Sequence, residues 1–90
     1  MMYRDVSNNI GRFTISMDMI EHHYDEVLMI MKDILVISAV AQYAEQIIEY
    51  KGVSKKYFDP VERGHQIPQY GFVFMKDGDN TVSIKCERIK

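Results

Sequence analysis

From residue 18 to residue 51 the chain contains neither glycine nor proline, and that unbroken stretch constrains the fold more than any other feature. It predicts one long helix. Asp18 can cap the free N–H groups of a first turn, and Glu21 three residues on completes a capping-box pattern. Asp18, Glu21, Asp25 and Glu26 place negative charge at the positive end of the helix dipole. Gly52, directly after Lys51, supplies a stop. Such a helix has about 30 residues and a length of ~45–50 Å. A compact domain of this size has a radius of gyration of roughly 12 Å. The helix must therefore break, or pack part of its length on something else.

Two apolar stripes can be drawn on it. Val27, Ile30, Ile34, Ile37, Ala41, Ala44 and Ile48 recur at three- and four-residue steps on one side. Met29, Val36, Val40, Tyr43, Ile47 and Tyr50 fall roughly opposite. Ser38, Gln42, Glu45 and Glu49 form a narrow polar edge. An ordinary surface helix has one apolar stripe and a broad polar face, so two stripes predict burial on two sides.

The flanks read as strands. Phe13, Ile15 and Met17 alternate with Arg12, Thr14 and Ser16, a period of two that gathers the apolar set on one face. Ser7-Asn8-Asn9-Ile10-Gly11 carries turn chemistry, so residues 2–6 would pair with residues 12–17. Towards the C-terminus, residues 70–75 are rich in aromatic and β-branched side chains. Lys76-Asp77-Gly78-Asp79-Asn80 signals a tight turn. In residues 81–89, Val82, Ile84 and Cys86 alternate with Ser83, Lys85 and Glu87. Residues 52–69 have no clear period. Asp59-Pro60-Val61-Glu62 resembles one helical turn, with Asp59 as cap and Pro60 first.

The expected fold is a single α+β domain over residues 1–90. One long α-helix packs on a small antiparallel sheet of three or four strands, in the order ββαββ. The composition, 47% hydrophobic and 27% charged, suits a globular chain rather than a disordered one. A net charge of −2 gives no global footprint for nucleic acid. The single cysteine excludes an intrachain disulfide and a cysteine-rich zinc site, and points to a reduced, cytoplasmic protein. The first residues lack the basic head and apolar run of a signal peptide. The apolar run over residues 27–41 is interrupted by Lys32 and Asp33 and is shorter than the ~20 residues a bilayer requires.

No sequence pattern assigns a catalytic or cofactor site. His22 and Glu26, four apart on a helix, could share a metal with His65, but the zinc-protease spacing is absent. Cys86 falls on the apolar face of a strand, where it reads as a small buried hydrophobe. No serine occupies a nucleophile elbow and no glycine loop cradles phosphate. The expectation is a non-enzymatic interaction module without cofactor or metal: an adaptor, regulator or inhibitor acting as a homodimer. Met29, Val36, Val40, Tyr43, Ile47 and Tyr50 form its self-association interface. Lys55, Lys56, Tyr57, Phe58, Arg63 and His65 form a loop for a protein partner. The alternative is nucleic-acid binding through the same lysines and the C-terminal hairpin, with Phe72 and Phe74 stacking on bases.

Overall fold

The computed structural model describes residues 8–76, 78 and 82–89. The strand expected over residues 2–6 and most of the turn around Gly78 lie outside them. Strand β1 (Ile10–Ser16) leads into two short helices, α1 (Met17–His22) and α2 (Tyr24–Met31). Four strands follow: β2 (Leu35–Gln42), β3 (Ile47–Val53), β4 (Gln69–Lys76) and β5 (Val82–Arg88). They form one five-stranded sheet in the order β2-β3-β1-β4-β5. Neighbours run antiparallel except β1 and β4, which pair in parallel at Arg12–Gln69 and Phe13–Tyr70.

The long helix and the ββαββ sheet of three or four strands are therefore corrected. What reads as one rod is two short helices followed by a β-hairpin. Helix α2 ends at Met31, and the N–H groups of Lys32, Asp33 and Ile34 close its last turn on the carbonyls of Leu28, Ile30 and Met31. Beyond it the chain is dense in β-branched residues, which lose χ1 freedom in a helix and pack well on a pleated surface. As strands, these residues satisfy their backbone against β3 and let β3 place Ile48 and Tyr50 beside Ile15 and Phe13. The rod thus folds back within one copy, and the two-stripe argument for association falls with the helix.

The hairpin's reversal occupies residues 43–46. Glu45 and Gln46 donate to the carbonyls of Gln42 and Tyr43, at 3.2 Å each. Gln46 takes the left-handed conformation at φ 57°, a region that glycine and asparagine enter far more readily. The first helix also starts earlier than its acidic residues suggest. Ser16, not Asp18, is the N-cap, and its hydroxyl accepts the Met19 N–H at 3.1 Å.

One face of the sheet is covered and the other is open. Gly11, Phe13 and Ile15 of β1 face the helices, as do Tyr50 and Gly52 of β3 and Tyr70 of β4. Val27, Ile30 and Ile34 descend onto them from α2 and its exit turn. Phe13, fully buried, is the hub. It stacks on Tyr50 at 5.2 Å and meets Phe72 edge-on at 5.3 Å. Such ring pairs add about 0.5–1.5 kcal/mol each beyond area burial.

The connection over residues 54–68 completes the core cover. A tight turn begins at Ser54, whose carbonyl and hydroxyl accept from Phe58 and Tyr57, and a second closes where His65 donates to the Glu62 carbonyl at 3.1 Å. The helical turn expected at Asp59 is absent. Phe58 is 3% exposed and packs at 4.7 Å on the ring of Tyr70. Asn9 holds this segment from below, donating through Nδ2 to the Phe58 carbonyl at 2.8 Å.

Candidate interaction edge

Strand β2 is one of the two edge strands, and among the described residues β3 is its one strand partner. Its other backbone side presents N–H and C=O groups in ladder spacing, which is a template for pairing. The sequence Leu35-Val36-Ile37-Ser38-Ala39-Val40-Ala41-Gln42 contains no charge, proline or glycine. Natural edges are ordinarily blunted by such residues. The opposite edge is blunted in that way: Lys85, Glu87 and Arg88 decorate β5, with Lys85 and Glu87 3.8 Å apart.

Side chains on β2 are open as well. Leu35 is 68% exposed, Ile37 55% and Val40 53%, and Tyr43 in the adjoining turn reaches 77%. Large apolar groups scattered singly over a surface are normal, whereas a contiguous line of them marks an interaction site. A bulge between Val36 and Ser38 interrupts the register against β3, after which residues 38–42 pair without irregularity.

The six residues expected to form one stripe are distributed over three elements. Val36, Val40 and Tyr43 lie on the open edge and its turn. Ile47 and Tyr50 are half-buried on β3, Tyr50 against Phe13. Met29 is half-buried on α2, lining a shallow apolar groove with Leu28 and Met31. Leu35, Ile37 and the two alanines of β2 complete the edge and were not among the six. Sequence carried a usable signal for them: an uncharged run dense in β-branched residues, bounded by Asp33 and Glu45.

The loop residues also part company. Lys55, Lys56, Arg63 and His65 are exposed. Phe58 is buried, and Tyr57 is half-buried, edge-on to Phe72 at 5.2 Å. Lys56 is engaged with the body of the protein: its Nζ donates to Asp33 Oδ2 at 3.1 Å and lies 5.3 Å from the Tyr57 ring centre. That hydrogen bond raises its pKa above the ordinary lysine value. Phe72 and Phe74 lie on the covered face and pack against the core, so they offer no open platform for bases.

The histidines do not converge. His22 lies 3.8 Å from both Asp18 and Glu21, His23 the same distance from Glu26, and His65 from Glu62. Among the described residues no group of three or more His, Cys, Asp or Glu side chains is placed to hold a metal ion. The thiol of Cys86 donates to the Tyr57 carbonyl at 3.6 Å. Burial, followed by the carboxylates of Asp59 and Glu87, pushes its pKa up to about 11, the opposite of what a nucleophile requires. A polar groove on the open face is lined by Arg12, Glu49 and Lys51. Arg12 is already committed there, donating to the Ile67 carbonyl at 3.1 Å. No helix among the described residues is long and apolar enough to cross a membrane. Comparison with protein-family models, with curated proteins and with solved structures returns no match.

Proposed function

We propose that this protein is a non-enzymatic interaction module, an adaptor, regulator or inhibitor, whose working surface is the β2 edge. The observation that carries this reading is the asymmetry of the two sheet edges: β5 bears Lys85, Glu87 and Arg88, whereas β2 bears no charge along its whole length. An extended segment laid along β2 gains main-chain hydrogen bonds, and Ile37, Val40 and Tyr43 give it apolar contacts. Its single cysteine, which leaves no intrachain disulfide to form, fits a protein kept reduced in a cytoplasmic setting.

The test uses two fluorescent peptides. One copies residues 37–43, and the other is an unrelated heptapeptide alternating threonine and valine. Anisotropy should rise on titration with the protein, and an Ala39→Pro or Val40→Pro substitution should suppress the rise. Backbone N–H groups alternate in direction along a strand, so one of these two prolines removes an outward donor without breaking the β3 ladder. If neither peptide binds the folded protein, the reading is wrong.

A further inference from the structure

We infer that the strand laid on β2 is β2 of a second copy, antiparallel about a two-fold axis through Val40. This rests on reading β2 as an interaction edge and goes further by naming its occupant.

The register follows from the pleat. Side chains alternate between faces along a strand, and residues opposite one another in an antiparallel pair point to the same face. A strand paired with its own copy must therefore match positions an even number of residues apart. The axis then passes through a residue, not between two. The regular part of β2 is residues 38–42, past the bulge, and its central residue is Val40. Val40 then faces its own copy, Ala39 faces Ala41, and Ser38 faces Gln42. The two alanines are small enough for close approach of the chains.

The same axis disposes of the exposed apolar groups. Ile37 in the bulge and Tyr43 in the turn flank the regular stretch, three residues to either side of Val40, so Ile37 of one copy is brought towards Tyr43 of the other just beyond each end of the ladder. Both are more than half exposed in the single chain. No residue from 34 to 44 is charged, so the symmetry brings no like charges together at these positions.

Closure favours a second copy over open-ended growth. Each chain offers one uncharged edge and one charged edge, so pairing β2 with β2 uses up the adhesive side of both. The product is a continuous ten-stranded sheet with both helical layers on the same side. A five-residue ladder is only ~17 Å long. Alone it falls below the ~1,200–2,000 Å² of a standard stable interface, so the dimer is concentration-dependent.

Light scattering over about 1–500 µM, which brackets weak dimers with micromolar to near-millimolar Kd, should show the mass rising towards twice that of one chain. Val40→Lys sets two ammonium groups on the axis and should weaken the dimer at least tenfold. Val73→Lys, on the open face of β4, should leave it unchanged. Circular dichroism of both variants checks the fold.

Cysteine scanning in a Cys86→Ser background tests the register. Val40→Cys should oxidise to a linked dimer. Ser38→Cys and Gln42→Cys should each link poorly alone, because like positions lie ~13 Å apart along the ladder, and efficiently when mixed. A dimer indifferent to Val40→Lys, or one that links best at another position, overturns the inference. A strict monomer over the whole range also overturns it. Binding of the peptides by such a monomer would leave the interaction-edge reading standing.

Discussion

Ile34 rests on the bare backbone of Gly52: a β-carbon at Gly52 would stand 2.5 Å from Ile34 Cγ2 and 3.1 Å from the Leu35 carbonyl oxygen. Glycine is needed here because the chain leaving α2 must pass directly over β3 to begin β2. Gly52→Ala should destabilise the protein by ~1–3 kcal/mol, the cost of overpacking a tight site. Ile34→Ala alone should cost ~2–5 kcal/mol through the cavity it leaves. The double variant should cost less than the two single costs together, since the new methyl occupies part of the vacated space. Urea denaturation of all three chains checks this, and strict additivity would remove the contact from the account.

Gln46 sits at the turn between β2 and β3 with φ 57°. Its carbonyl accepts the Met17 N–H at 2.9 Å, so the conformation is held by the start of α1 as well as by the hairpin. A left-handed residue with a side chain costs roughly 1–2 kcal/mol. Gln46→Gly should recover up to about 1 kcal/mol after glycine's greater unfolded-state entropy is offset. Gln46→Val should destabilise, because a β-branched residue fits that region worst. Thermal melts that rank valine above glycine would contradict this geometry.

Cys86 makes stability fall in alkali. Its thiol titrates near 9.0 when free and at about 11 in the fold, so the folded protein retains a proton that the unfolded chain releases. This stabilising contribution is complete below pH 9 and is lost as pH rises through 11. Burial raises the Tyr50 pKa as well, adding a loss in the same direction above pH 10. Cys86→Ser should flatten the pH 9–11 part of the stability profile and leave the tyrosine part. At pH 8 the native thiol should react roughly 100-fold more slowly with a thiol reagent than the urea-unfolded chain, from thiolate fraction alone.

What was legible in the sequence depended on whether one period could be separated from another. Phe13 and Ile15, or Val82, Ile84 and Cys86, alternate with polar residues, so a spacing of two was unambiguous there and their common face is found in the structure. Residues 34–41 are apolar at nearly every position, so helical and extended spacings fit them equally well. Only their β-branched content separates the two, and the absence of glycine and proline outweighed it. The reversal at residues 43–46 carried no turn signal because Gln46 performs it. Val36, Val40 and Tyr43 fall on the expected self-association interface only by way of a helix that does not form. Phe58 illustrates the opposite failure: a loop aromatic suggests a contact surface, but this one is bound into the core by Tyr70 and Phe13.

The parallel seam between β1 and β4 joins two residue pairs among the described residues, which makes it the narrowest join in the sheet. On one side of it β2 and β3 form a hairpin with β1 paired to β3, and on the other β4 and β5 form a second hairpin. Only the two hairpins gain their hydrogen bonds locally; the β1–β3 ladder closes over α1, α2 and β2, and the seam closes over a longer stretch still for fewer paired residues. Its stiffness comes from rings above it, Phe13 against Phe72 and Phe58 against Tyr70. Mechanical pulling on the two ends of β5 and β2 would therefore part the sheet along that line first, releasing the C-terminal hairpin as one piece.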